Sequence, residues 1–179
     1  MSEILVGVSA SAACFKAVAV CSALTRAGHG VTTVLTPGAT KLVTPLQFAT
    51  VTGRRALSSE WEPESADGMD HIHLARRAQL LIVVPASAGR IAVLAQGLAP
   101  DLLGSLALAF EQHKPRLFVP AMNPEMWKHP AVARNVAQLE RDGWTRIGPV
   151  AGPTACGEEG LGRMSEPDAI VSAIGRALS

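Results

Sequence analysis

Asn123 lies in the stretch Val119-Pro120-Ala121-Met122-Asn123-Pro124-Glu125-Met126-Trp127, where an apolar run stops at a proline and a helix begins. Its amide offers an acceptor and two donors, which suits it to hold a carboxylate or a flat heterocycle. The same residue suits the cap of a helix starting near Pro124, with Met122 and Met126 as core filler, and the stretch alone leaves both readings open. His71 and His73 follow Asp70 at the start of another helix. Two residues apart, they point to different sides of it and cannot form an i, i+4 metal pair; one facing a crevice would be a candidate base. Cys156 stands in Cys156-Gly157-Glu158-Glu159-Gly160-Leu161-Gly162-Arg163, a glycine-rich stretch that suits a lid carrying a chemical group, with an idle surface loop as the competing reading. Ser9 and Ser11 lie in a turn of small residues, Gly7 to Ala13, that feeds a helix. Free backbone N–H groups at such a helix start attract an anion, so a phosphate is expected there. Because G-x-G-x-x-G is missing, the serine hydroxyls would replace glycine backbone contacts; an ordinary capped helix start is the competing reading.

These groups need elements to hold them. The chain is 48% hydrophobic but only 4% aromatic, so its core is built from Ala, Val, Leu and Ile, as in parallel strands covered by helices on both faces. Strands are expected over Ile4–Val8, Val31–Leu35, Leu80–Val84 and Leu117–Val119, each followed by a helix. Cys14 and Cys21, seven apart on the first helix, share a face and read as core. Thr36 closes the second strand, Thr44 precedes a helix-starting Pro45, and both are within reach of a ligand. Pro85-Ala86-Ser87-Ala88 forms a second small-residue ligand loop, and Asp101 suits a helix cap. Residues 54–69, with Trp61, read as a surface excursion that is a partner contact or a lid, and Gly148 to Arg163 as a loop. The result is a three-layer α/β fold, Rossmann-like (flavodoxin-like), with a central parallel sheet in one domain over residues 1–179.

A net charge of +1 and no long basic run argue against nucleic acid as a partner. No apolar run approaches the roughly 18 residues of a membrane span, and the start shows no secretory signal. Three cysteines without metal-ligand spacing point to a reducing cytoplasm and no metal.

Taken together and in order, Gly7-Val8-Ser9-Ala10-Ser11-Ala12-Ala13-Cys14-Phe15-Lys16, His71-Ile72-His73-Leu74, Pro85-Ala86-Ser87-Ala88, Pro120-Ala121-Met122-Asn123-x-x-Met126-Trp127 and Ala155-Cys156-Gly157-x-x-Gly160-x-Gly162-Arg163-Met164 resemble the flavin-containing cysteine decarboxylases. Within that family the likeness runs to the branch acting on phosphopantothenoylcysteine in coenzyme A biosynthesis. The resemblance implies FMN, bound across the subunits of a homotrimer that can build larger assemblies, and leaves open a synthetase partner on a separate chain. It implies flavin contacts at Ser9, Ser11, Thr36, Thr44, Ser87 and Ala88, a base at His71, and a carboxylate-binding Asn123 beside Met122. It further implies substrate contacts at Asp101 and Arg163, and a proton donor at Cys156. Ala99-Pro100-Asp101-Leu102 departs from the family's usual pair of Asp or Asn residues, which opens the choice of substrate. The alternatives are a peptidyl-cysteine decarboxylase that leaves an ene-thiol, a flavin prenyltransferase of similar architecture, and a non-catalytic flavin-binding subunit.

Overall fold

The computed structural model describes residues 1–153 and 157–179. Its centre is a five-stranded parallel sheet of β1 (Glu3–Val8), β2 (Gly30–Leu35), β3 (Leu80–Ala86), β4 (Arg116–Pro120) and β5 (Trp144–Arg146), in the order β2-β1-β3-β4-β5. Each central strand is apolar on both faces. Ile4, Val6 and Val8 of β1, Leu80, Ile82 and Val84 of β3, and Leu117 and Val119 of β4 pack on one side. Leu5, Leu81, Val83 and Phe118 pack on the other. That two-sided burial is what a parallel sheet between helical layers demands.

Helix α1 (Cys14–Arg26) covers the first face with Cys14, Ala17, Val20, Cys21 and Leu24. It is joined there by α2 (Pro45–Thr52) through Phe48 and by the C-terminal helix through Ile170 and Ile174. The second face carries α3 (Asp70–Arg77), α4 (Ala88–Ala95) and α5 (Leu102–Ala109). A short α6 (Pro124–Lys128) leads into α7 (Pro130–Arg141), which completes this layer through Val132, Val136 and Leu139. Gly7 lets α5 approach β1: a Cβ there would lie 2.5 Å from a Leu103 methyl. The strand order reverses direction between β1 and β3, and open α/β sheets bind ligands in the crevice at such a switch point.

Two differences from the sequence reading concern elements. Trp144–Arg146 is a fifth strand; it has three residues, only Trp144 is buried, and so it shows no apolar run. The stretch expected as a loop from Gly148 to Arg163 contains an antiparallel pair, β6 (Val150–Pro153) and β7 (Glu159–Arg163), before α8 (Pro167–Ala177). Among the described residues no helix is long and apolar enough to cross a membrane.

The opposite end of the sheet is closed by Glu3, whose Oε1 accepts from Arg54 Nη2 at 3.0 Å, with Arg77 close by. The Arg54 guanidinium holds the Glu3 carboxyl below its ordinary range against the opposing effect of burial. The ionised form is thus the one that the fold favours, and its contribution is present above the ordinary glutamate range and lost as pH falls. Urea midpoints measured from pH 7 down to pH 3 are expected to fall less steeply for Glu3→Gln than for the unmodified protein. Parallel curves would remove this pair from the acid response.

Candidate functional site

The loops that leave β1, β3 and β4 at their carboxyl ends meet around a cavity of about 590 Å³. Its lining includes Ser11 and the start of α1, Ser87 and Ala88 at the start of α4, Met122 and Asn123 after β4, and Gly162 and Arg163 of β7. Volumes of roughly 300–1,000 Å³ are those of small-molecule and cofactor sites.

Asn123 meets both descriptions open in the sequence. It caps α6, its Oδ1 accepting from Glu125 N at 2.7 Å and Met126 N at 3.4 Å. It is half-buried and also lines the cavity, with Nδ2 donating to Glu158 Oε2 at 2.7 Å. The cap fixes which edge of the amide is which, since a flip would aim the NH₂ group at two backbone N–H donors. The loop is held from the other side by β7: Met122 N donates to Gly162 O at 3.0 Å. Only glycine fits there, because a Cβ on Gly162 would stand 2.4 Å from the Met122 carbonyl oxygen.

The hydroxyls divide. Ser11 lines the cavity, where its Oγ accepts from Ala13 N at 3.3 Å. Ser9 is buried and outside the lining; its Oγ donates to Pro85 O at 2.8 Å and accepts from Ser87 N at 2.9 Å, which ties the two loops of the switch point together. Ser87 caps α4 by accepting from Arg90 N at 3.3 Å. Thr36 is buried under the first loop, and its Oγ1 accepts from Ala39 N at 3.2 Å. Thr44 is exposed at the start of α2, its backbone N–H donating to Gln47 Oε1 at 2.9 Å. Neither threonine lines the cavity within this chain.

Asp101 and His71 are also outside the lining. Asp101 caps α5 through Gly104 N at 3.0 Å, and both its oxygens pair with the buried guanidinium of Arg90, with Nη1 to Oδ1 at 3.1 Å. His71 is half-buried on α3, and its neighbour His73 is exposed and bonded to Asp67 Oδ2 at 2.8 Å. That hydrogen bond holds the Asp67 carboxyl down at about 2. Cys156 lies outside the described residues.

The structure adds Lys16, whose place in the lining sequence reading missed. Lys16 Nζ lies 3.1 Å from Glu166 Oε1, and Arg163 pairs with the same carboxylate. Two cations thus share one acid at the rim. The available signal was position: Lys16 falls in the first turn of α1, where helices rarely favour a cation. Phe15, exposed, and Met126 supply apolar rim surface.

This donor set fits FMN. The α1 N-terminus has no side-chain cap and opens on the cavity beside Ser11, where the positive end of a helix attracts a phosphate. Small side chains at Ala10, Ala12, Ala13, Ala88 and Ala121 leave width for a flat ring. Among the described residues no three metal-ligating side chains converge.

Comparison with known proteins gives the family and the fold's relatives. The model of the family described as Flavoprotein matches residues 1–179. The chain is 34% identical to the probable phosphopantothenoylcysteine decarboxylase of Streptococcus mutans, covering 96% of each. It spans about two fifths of the bifunctional coenzyme A biosynthesis proteins CoaBC that it matches, 42% of the Haemophilus influenzae protein at 39% identity over 96% of this chain. A solved PPC decarboxylase mutant complexed with pantothenoylaminoethenethiol superposes with a TM-score of 0.88 at 29% identity, covering 98% of this chain and 97% of that one. The FMN-dependent cysteine decarboxylase SpaF superposes at 0.84 and 31% identity, covering 99% and 95%.

The Arg90–Asp101 pair allows a structural role to be separated from a role in substrate binding. Removing one partner of a buried ion pair costs about 3–5 kcal/mol. Asp101→Ala is therefore expected to lower unfolding stability by about 3 kcal/mol, read by urea denaturation. Unchanged stability would return Asp101 to the list of ligand contacts.

Proposed function

This chain belongs to the Flavoprotein family, and we propose that it is an FMN-dependent carboxy-lyase that removes the carboxylate of a cysteine, with phosphopantothenoylcysteine of coenzyme A biosynthesis as its substrate. The observation that carries the reading is Asn123, locked by the α6 cap with its amide donors at the cavity between the β4 loop and β7. The substrate assignment is supported by the named relatives.

A cysteine carboxylate has no electron sink of its own, so CO₂ cannot leave directly. When bound, FMN would supply the two-electron oxidation of the thiol-bearing carbon that lets the neighbouring carbon release CO₂, and the reducing equivalents that give the saturated product. The N-terminus of α1, with Ser11, would hold its phosphate, and Ser87 and Ala88 would adjoin the ring. Asn123 binds the substrate carboxylate and orients the reacting carbon, with Met122 beside it. Arg163, backed by Glu166 and adjoining Lys16, receives the anionic far end of the substrate. Cys156 donates the proton that completes the saturated thiol, so the net change is loss of CO₂ with uptake of a proton.

His71 is the base, and it reaches the cavity of a neighbouring copy in a homotrimer. Supporting this, His71 is absent from the lining of its own chain's cavity, while Phe15 and Met126 leave apolar surface exposed in that lining. Thr44, exposed on the β2 side, would meet flavin across such a contact, and buried Thr36 would act through the turn that it holds. The fused relatives make a synthetase the natural partner, on a separate chain or an adjoining segment. Two buried free thiols, Cys14 and Cys21, support a cytoplasmic location.

Mass spectrometry of phosphopantothenoylcysteine after incubation with FMN-loaded protein is expected to show loss of CO₂ alone; unchanged substrate would refute the assignment. Asn123→Ala and His71→Ala are each expected to reduce turnover about 100-fold or more while leaving the protein yellow. Mixing the two inactive variants after dissociation and reassociation is expected to restore on the order of a quarter of the sites, as random pairing across a shared interface requires. No recovery would place both residues in one chain's site.

A further inference from the structure

We infer that Glu158 is an internal competitor for the Asn123 amide and sets the site's selectivity for ligands bearing a free carboxylate. The inference rests on Asn123 being the carboxylate-binding residue. Glu158 Oε2 accepts from Asn123 Nδ2 at 2.7 Å. A substrate carboxylate bound by that amide would present the same chemical group, with the same charge, to the same donor edge. The edge cannot be exchanged, because Oδ1 is committed to Glu125 N and Met126 N at the start of α6. Two carboxylates gathered at one neutral amide repel. A ligand carboxylate therefore enters by displacing Glu158, which is exposed at its place just before β7.

Three features make this contact more than a surface bond. Glu158 precedes Glu159, the first residue of β7, and β7 is pinned to the Asn123 loop through Met122 N and Gly162 O. The acid is thus delivered to the amide by the element that builds the cavity wall. Its charge is also felt on α6, where Lys128 is held above its ordinary range by Glu125 first and by Glu158 in addition. Finally, the competition discriminates: an anionic ligand can replace the charge-assisted bond that Glu158 gives up, whereas a neutral amide cannot.

The test uses the full FMN-loaded protein and a ligand that binds without reacting. N-Acetyl-S-methylcysteine keeps the cysteine skeleton and its carboxylate, but its capped sulfur blocks turnover; its primary amide is the neutral control. In isothermal titration calorimetry, Glu158→Gln is expected to bind the carboxylate tighter than the unmodified protein and the amide tighter still, by about tenfold, so that the preference for the carboxylate narrows. Carboxylate affinity that is equal or weaker in Glu158→Gln, while Asn123→Ala abolishes binding, would overturn the role of Glu158 and leave the parent reading intact. Carboxylate binding that survives Asn123→Ala would overturn both. Because Glu158 is exposed, the substitution leaves the core untouched, and retained FMN absorbance verifies the fold.

Discussion

The site depends on one backbone contact, the hydrogen bond from Met122 N to Gly162 O. It joins two segments of unlike character, the loop after a buried parallel strand and a largely exposed glycine-rich hairpin. The loop brings Asn123 to the carboxyl end of β4, but a short α6 of five residues is too small to fix it alone. The hairpin supplies the other wall, bringing Arg163 and Glu158 with it. The contact requires the absence of a side chain at Gly162, since a Cβ would meet the Met122 oxygen at 2.4 Å. Removing one hydrogen atom's worth of freedom at that position therefore alters the cavity as a whole.

Around this junction the polar residues are sorted by burial. Ser9, Thr36 and Asp101 each look like ligand contacts by type, yet each is used inside the fold, where an unpaired polar group would be costly. Ser9 clamps the β1 and β3 loops, Thr36 supports the turn beneath them, and Asp101 joins α4 to α5 through Arg90. Their indirect effect is to hold the α1 and α4 N-termini at one mouth. What remains for a ligand is the α1 N-terminus, Ser11, the Asn123 amide and the cations Lys16 and Arg163 at the rim. That set favours an anion at one end and a flat group at the other.

Much of this was legible in the sequence because burial leaves a pattern. Leu80 to Val84 and Ile4 to Val8 read as strands since both faces are apolar, and Cys14 and Cys21 read as core from their shared helical face. Asn123 could be placed at a strand end, and the structure makes it both cap and cavity wall. β5 was hidden because Arg146 and Thr145 are exposed, so only Trp144 marks it. The β6–β7 pair was hidden because its residues, apart from Gly162, are not buried, and its position comes from the loop it docks on. Hydroxyl and carboxylate partners are equally invisible locally: Ser9 and Pro85 are 76 residues apart. Lys16 was missed for the same reason, as its partner Glu166 lies 150 residues away.

The most direct measurement is carboxylate binding by Gly162→Ala. FMN-loaded Gly162→Ala protein, titrated with a non-reactive cysteine carboxylate, is expected to retain its yellow colour and its unfolding transition but to lose binding by about tenfold or more. Hydrogen exchange at the Met122 amide is expected to accelerate in parallel. Unchanged affinity together with an unchanged, protected Met122 amide would contradict the claim that the docked hairpin builds the site.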